Sequence, residues 1–322
     1  MSNAASVVLI IIAGALLVRW IMRAVGHRRG IARWFAIGFS GLMAIAIGAI
    51  TLLAGIGQLR SDARMAPIPV LEVSATPEQI QRGQAIANSF CSACHSVTGL
   101  LTGGRDLGRH LPVPVGTFVS ANLTPGGQLK HWSDGQIFRA IRNAVDADGR
   151  WMTIMSYTNA GKLSDADIVS VIAYLRSVPA AGSPNPEPLD RFNLLGLVML
   201  GAGQLPTGHP VTADTIVAPP KGPTLAWGAY LLSYQDCREC HGADLSGGVP
   251  GQMAPVGPDL SLVKQWSATD FISTLRGGVD PNGHPLSEEM PWRPIGRMDD
   301  DDLNAIYTYL THMPDQQNGL VN

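Results

Sequence analysis

Cys91-Ser92-Ala93-Cys94-His95 and Cys237-Arg238-Glu239-Cys240-His241 hold all 4 cysteines of the 322-residue chain. In both pentapeptides two residues separate the thiols and a histidine follows at once, the pattern of c-type haem attachment. The chemistry sets the spacing: each thiol adds to one vinyl group of the porphyrin, and the adjoining imidazole meets the iron from one face. A disulfide within each pair is an alternative in an oxidising compartment, but a two-residue spacing marks redox or metal chemistry more often than a structural staple. One zinc ion held by all the thiols is another, yet Cys94 and Cys237 are much farther apart than the about 15–20 residues between the pairs of a zinc ribbon. The recurring histidine favours haem, and two covalently bound c-type haems per chain are expected.

The likeness extends beyond the pentapeptides, which makes each the centre of a repeated domain. Gly83 stands before Cys91 as Gly228 does before Cys237; Trp132-Ser133 recurs as Trp266-Ser267, Val145-Asp146 as Val279-Asp280, and Tyr174-Leu175 as Tyr309-Leu310. Helix starts repeat too. Thr76-Pro77-Glu78-Gln79 opens the helix leading into the first motif, with proline at the first helical position. Ser133 with Gln136 matches Ser267 with Asp270, each a cap with a partner three residues on. Ser164 with Asp167, and Asp299 with Asp302, open final helices expected over 164–177 and 299–312, ended by Pro179 and Pro314. The acidic run 299–302 is read as favourable charge at a helix N-terminus rather than a docking patch. Strand signals are nearly absent, so the fold class is all-α. Between the copies, 179–223 carries nine prolines and reads as an extended surface linker. Its apolar stretch, 192–205, is too short to span a bilayer and is expected to pack between the two domains, with lying on the membrane surface as the alternative.

Charged residues make up 15% of the chain, and their deficit lies in two N-terminal runs. Helices over 5–22 and 35–57 would be about 27 and 34 Å long, against a hydrocarbon core of roughly 30 Å. Together they predict a transmembrane helical hairpin. Arg19, Arg23, Arg28, Arg29 and Arg33 lie between the uncharged runs 1–18 and 35–57, which the positive-inside rule assigns to the cytoplasm, and Trp20 and Trp34 flank that loop at interfacial depth. Gly38, Gly41, Ala44 and Gly48 would allow close helix approach. A cleaved signal peptide would need a positive stretch before the first run and a small-residue site after it, and neither is evident. Everything beyond the hairpin is then expected outside the bacterial inner membrane, facing the periplasm. A formal charge of −2 leaves no basic footprint for nucleic acid.

The two copies resemble the diheme cytochromes c of the class I fold, and the chain is similar over roughly 76–314 to the cytochrome subunits that serve membrane-bound dehydrogenases. The resemblance implies an anchor over 1–66, a first cytochrome c domain over 67–179, a linker over 180–223 and a second domain over 224–322. It implies a crossing of first and last helices, with Gly83 meeting Tyr174 and Gly228 meeting Tyr309 or Tyr307. Segments 120–134 and 248–261 resemble loops that wrap the haem edge, and the carbonyl of Pro258 matches the family's acceptor for the ligating histidine's second nitrogen. No counterpart is evident in the first copy. His95 and His241 are the proximal iron ligands on this reading. Met290, followed by Pro291, matches the family's ligand loop for the opposite face. Met155 stands as far before Ser164 as Met290 does before Asp299, with Ser156 in place of the proline, and Met152 is three residues too early. The other histidines, His110, His131, His209, His284 and His312, are alternative ligands in principle.

Histidine and methionine fill both axial positions and raise the potential, leaving no iron site for substrate. The expected function is membrane-tethered electron transfer between a redox partner and an acceptor, with a dehydrogenase, an oxidase or a reaction-centre complex as partner and no catalysis by the chain itself. A diheme peroxidase, which needs one iron able to open its sixth position, and a subunit of a larger photosynthetic or respiratory complex are the alternatives. Intact mass after denaturation should exceed the sequence mass by two haems in protein matured by a competent host. One haem or none would remove the reading.

Overall fold

Ile31–Asp62 runs as one helix of 32 residues, α1, enclosing the uncharged run expected over 35–57. Trp34, Phe35, Phe39, Leu42, Ile45 and Leu52 on it are exposed, whereas a core helix of a soluble protein buries such side chains. Among the described residues α1 is the one helix long and apolar enough to cross a membrane. The structure, a computed structural model, describes residues 30–62, 65–185, 187, 189–252 and 254–313 and scattered positions between 12 and 26. Most of the expected first span, 5–22, lies outside the described residues, as do Trp20, Arg28, Arg29 and Pro314.

Beyond α1 the chain builds two helical domains. The first holds α2 (Pro77–Ile86), α3 (Ser92–His95), β1 (Gly116–Phe118), α4 (Asp134–Asn143), α5 (Thr153–Tyr157) and α6 (Asp165–Ser177). The connection contributes β2 (Asp190–Phe192) and α7 (Leu194–Gly201). The second domain holds α8 (Leu225–Tyr234), α9 (Cys237–His241), α10 (Ala268–Gly277), α11 (Trp292–Ile295) and α12 (Asp300–Thr311). Local chemistry starts these helices. Capping boxes pair Thr76 with Gln79, Ser133 with Gln136 and Ser267 with Asp270, while Ser164 and Asp299 each accept from the backbone N–H three residues on.

Each domain is closed by its first and last helices touching backbone to backbone. A Cβ placed on Gly83 would lie 1.9 Å from the Ser170 carbonyl oxygen and 2.9 Å from Tyr174 Cβ; one on Gly228 would lie 2.1 Å from the Ala305 oxygen and 2.9 Å from Tyr309 Cβ. Tyr309, not Tyr307, is therefore the aromatic partner. The haem-motif turns then differ by one residue. In the first copy α2 widens through a π-helical turn, Ala87–Cys91, into α3. In the second, α8 stops at Tyr234, and Asp236 takes up the extra residue with a left-handed φ of 57°.

The linker departs from expectation at two places. Residues 190–192 pair antiparallel with 116–118, Gly116 opposite Phe192 and Phe118 opposite Asp190, adding a two-stranded sheet to an otherwise helical chain. The apolar stretch 192–205 does not lie between the domains. Its helix α7 crosses the C-terminal end of α1 at reciprocal glycines: a Cβ on Gly57 would meet the Leu197 oxygen at 2.0 Å, and one on Gly201 the Leu53 oxygen at 1.9 Å. Arg60 closes the contact by donating to the Leu200 and Gly201 carbonyls at 2.7 and 3.3 Å. Leu197 and Leu200 join Ala54, Val115, Phe118, Trp151 and Phe192 in a core of their own.

What lies between the domains is a buried polar lock. Arg82 on α2 grips Asp167 of its own domain through two bonds, 2.8 and 2.9 Å, and reaches Asp302 of the other at 3.3 Å. Trp227 Nε1 donates to Asp302 at 2.6 Å and Tyr230 Oη to Asp167 at 2.5 Å, while the Arg82 guanidinium lies 5.0 Å from the Trp227 ring centroid. Burial alone would lower the Arg82 pKa, but its bonds to Asp167 outweigh that and raise it, so the group stays cationic. Asp302, expected only to complement a helix dipole, is 3% exposed at its side chain and joins the domains. Removing a single partner of such a pair strands buried charge. Arg82→Met should therefore cost about 3–5 kcal/mol in denaturant unfolding. An unchanged unfolding midpoint would show that the two carboxylates do not depend on Arg82.

Candidate functional site: two matching imidazole clamps

The two pentapeptides end at imidazoles held in the same way. His95 Nδ1 lies 2.8 Å from the Ala121 carbonyl oxygen and His241 Nδ1 2.7 Å from that of Pro258. A carbonyl only accepts, so Nδ1 carries the hydrogen and Nε2 keeps its lone pair for a metal. Burial lowers the His95 pKa and so favours the neutral, ligating ring, while the Ala121 bond opposes that shift. Ala121 is the counterpart that sequence reading missed in the first copy. A signal existed in the pairing of Ala121-Asn122-Leu123 with Pro258-Asp259-Leu260. Asn122 Oδ1 accepts from Thr124 N at 2.9 Å and Asp259 Oδ1 from Ser261 N at 2.7 Å, so each carbonyl is aimed by the same side-chain turn. Leu123 N and Leu260 N bond Leu101 O and Leu245 O, and Gly103 N and Gly247 N bond the carbonyls of His95 and His241 themselves. In the second clamp Gly257 permits the approach, since a Cβ there would sit 2.7 Å from His241 Nδ1.

Cys91, Cys94, His95 and Met155 all line one cavity of about 780 Å³, walled by apolar residues such as Leu129, Trp132, Leu163 and Val171. Met152 lines it too. The repeat separates the two methionines: Met152 N bonds Ala144 O as Leu286 N bonds Gly278 O, which pairs Met152 with Leu286, while counting back from the caps Ser164 and Asp299 sets Met155 opposite Met290. Met290 is half-buried against the main core, with its carbonyl accepting from Trp292 N at 2.8 Å. Asp146 and Asp280 build identical turns before these segments, accepting from Asp148 and Arg150 in one copy and from Asn282 and His284 in the other. His110, His131, His209, His284 and His312 are exposed.

Burial pushes the Cys91 and Cys237 thiols up to about 12. They are neutral near pH 7. Among the described residues no three His, Cys, Asp or Glu side chains converge as a metal cage, so the four cysteines do not gather as one zinc site. Paired neutral thiols, an imidazole with Nε2 available and a thioether on the wall of an apolar cavity fit a c-type haem in the first domain.

The second domain helps to close this cavity, with Gln235, Asp236, Pro291 and Ile295 on its wall. Asp236, the residue before Cys237, accepts from Asn159 N at 2.8 Å and from Asn159 Nδ2 at 2.6 Å, and burial raises its carboxyl to about 6. Phe90, the residue before Cys91, meets Tyr234 edge-on with centroids 5.8 Å apart, and Gln235 Nε2 lies 3.5 Å from Ser89 Oγ. The two attachment segments are direct neighbours.

The sequence profile of cytochrome c matches residues 80–179 and 226–314, together more than half of the chain. The chain belongs to the cytochrome c family, whose domains carry covalently bound c-type haem. It is 27% identical over 307 residues to the fructose dehydrogenase cytochrome subunit of Gluconobacter japonicus, covering 86% of this chain and 60% of that protein. It is 27% identical over 266 residues to the cytochrome c subunit of the alcohol dehydrogenase (quinone) of Gluconacetobacter polyoxogenes, covering 73% and 56%. The gluconate 2-dehydrogenase cytochrome c subunit of Pantoea cypripedii is 33% identical over 98 residues, or 26% of this chain and 22% of that one. The chain thus spans about 60% or less of the length of these relatives. Each of these relatives is named as the cytochrome subunit of a dehydrogenase.

Proposed function

We propose that the chain is the membrane-tethered, two-haem electron-transfer subunit of a dehydrogenase complex, with one haem on Cys91 and Cys94 and the other on Cys237 and Cys240. His95 and Met155 would be the iron ligands of the first, His241 and Met290 of the second. The observation that carries this reading is the pair of matching imidazole clamps, on attachment segments that touch through Phe90 and Tyr234. A haem bound in each domain supplies a one-electron iron couple, and His/Met ligation raises its potential. The chain's own part is positional. Ala121 and Pro258 fix which ring nitrogen is free, the apolar wall around Met155 keeps water from the first site, and Phe90 against Tyr234 brings the attachment segments into contact. Electrons would then pass within one chain without a mobile carrier between its domains.

The domains are taken as 67–179 and 224–322, with 180–223 as linker and 1–66 as anchor. The anchor would be a hairpin of helices near 5–22 and 35–57, a reading supported by Gly14, where an added Cβ would lie 3.0 Å from Ile47 Cδ1 of α1. The arginines between the spans would face the cytoplasm, and both haem domains the periplasm. A dehydrogenase as electron donor rests on the relatives, each named as a subunit of one.

Thioether coordination gives an oxidised low-spin iron a weak far-red charge-transfer band. Met155→Ala and Met290→Ala should each remove about half of that band and open one iron to carbon monoxide, while replacement by His keeps low spin at a lower potential. A Met290→Ala protein with an unchanged spectrum would exclude that residue as ligand, and the same holds for Met155. For orientation, protease added outside spheroplasts should digest the haem domains and spare the arginine-bearing loop. Digestion only after lysis would place the domains in the cytoplasm.

A further inference from the structure

Met155 and Met290 occupy equivalent places, but the residue after each differs. Pro291 has its φ fixed by its own ring. Ser156, 3% exposed, has no such restraint and is held by three bonds instead. Its N–H donates to Met152 O at 3.0 Å, its hydroxyl to Thr153 O at 2.7 Å, and its own carbonyl accepts from His209 N at 2.8 Å. The last of these comes from the linker.

That bond is part of a strap, 206–216, laid across the outside of the Met155 turn. Tyr157 Oη donates to Pro206 O at 2.6 Å. Gly208 has a φ of +68°, and a Cβ on it would lie 2.2 Å from Ser156 Oγ and 2.8 Å from Ser156 O. The far end is pinned to the domain, with Thr212 N on Asn143 Oδ1 at 2.8 Å, Ile216 N on Asp165 Oδ1 at 3.1 Å and Asp165 N on Ile216 O at 2.9 Å. On its near side the strap follows α7, which Arg60 and the paired glycines fasten to α1.

We infer that the strap is the positioning device for the Met155 thioether, doing from outside the turn what Pro291 does from within it, with Gly208 and Tyr157 as its contact residues. The inference rests on Met155 being the sixth ligand. Met155 then has a hold on the iron that depends on linker packing, and Met290 does not.

The test is made on the full-length haem-loaded protein, read by the far-red band and by the fraction of reduced haem that binds carbon monoxide. Met155→Ala sets the reference for loss of that ligand. Gly208→Ala should reproduce most of the reference loss and Tyr157→Phe a smaller part of it. Gly222→Ala, also at positive φ but with nothing within 4 Å of an added Cβ, should leave both readouts unchanged. If Met155→Ala removes its share of the band while Gly208→Ala and Tyr157→Phe match the parent, the strap has no positioning role and the inference is overturned, though the ligand assignment stands. If Met155→Ala changes nothing, the ligand assignment fails and the inference falls with it. Should Gly208→Ala protein not accumulate, Tyr157→Phe decides, and an unchanged carbon monoxide fraction there overturns the inference.

Discussion

The close crossing of first and last helix fixes everything else in each domain. Where a Cβ would sit within 2.1 Å of a carbonyl oxygen, only glycine allows the backbones to meet, and Gly83 and Gly228 supply it. With the helices at that distance, Ile86 and Ala87 pack with Val171, Ile172 and Leu175, as Leu231 and Leu232 do with Leu303 and Ile306, leaving no room for slippage. The segment leaving the first helix is then delivered at a fixed height to the loop that carries Ala121 or Pro258. The imidazole clamp follows from the crossing in both copies, His95 standing 12 and His241 13 residues beyond the glycine, with the extra residue taken up at Asp236.

The features legible in sequence are those written in local side-chain chemistry. Thr76-Gln79, Ser133-Gln136 and Ser267-Asp270 form their boxes because both partners lie within one turn, and no distant residue has a vote. The site residues Cys91, Cys94, His95 and Met155 could be named from pattern, and the structure gathers them on one cavity. What escaped reading was set by distant neighbours or by backbone alone. Ala121 acts through its carbonyl, which every residue has, so nothing in its side chain announces it. Strands β1 and β2 are three residues each, too short for alternation to show. The composition of 192–205 says that it must be covered but not by what, and α1 supplied the cover. Tyr309 prevailed over Tyr307 through the rotation of α12, which a two-residue difference in sequence does not reveal.

The anchor is tied into the first domain more closely than a tether requires. Gly57 and Gly201 bring α1 and α7 to backbone contact, and the same α7 is continuous with β2, whose Asp190 side chain accepts from Thr153 N at the start of the Met155 turn. Burial raises the Asp190 carboxyl to about 6, a cost that the Thr153 bond reduces. A free linker would leave the domain indifferent to the membrane helix. Here the chain from α1 through α7 and β2 to α5 is packed at every joint, so the orientation of α1 also sets that of the cavity lined by Cys91, Cys94 and His95.

The two domains are copies, and copies meeting through equivalent faces place like residues near a common axis. Arg82 and Trp227 hold equivalent positions, each one residue before its crossing glycine, and they meet face to face. Two arginines there would repel across a buried gap, and two tryptophans would leave Asp167 without a cation. One of each resolves both difficulties: the guanidinium serves Asp167 and Asp302 together while lying on the indole, and the indole N–H gives Asp302 a donor from its own domain. Tyr230 then completes Asp167 from the other side. The departure from symmetry at this pair is what lets two domains of the same fold hold one fixed relation, and it is that relation which keeps Phe90 on Tyr234 and the two attachment segments adjacent.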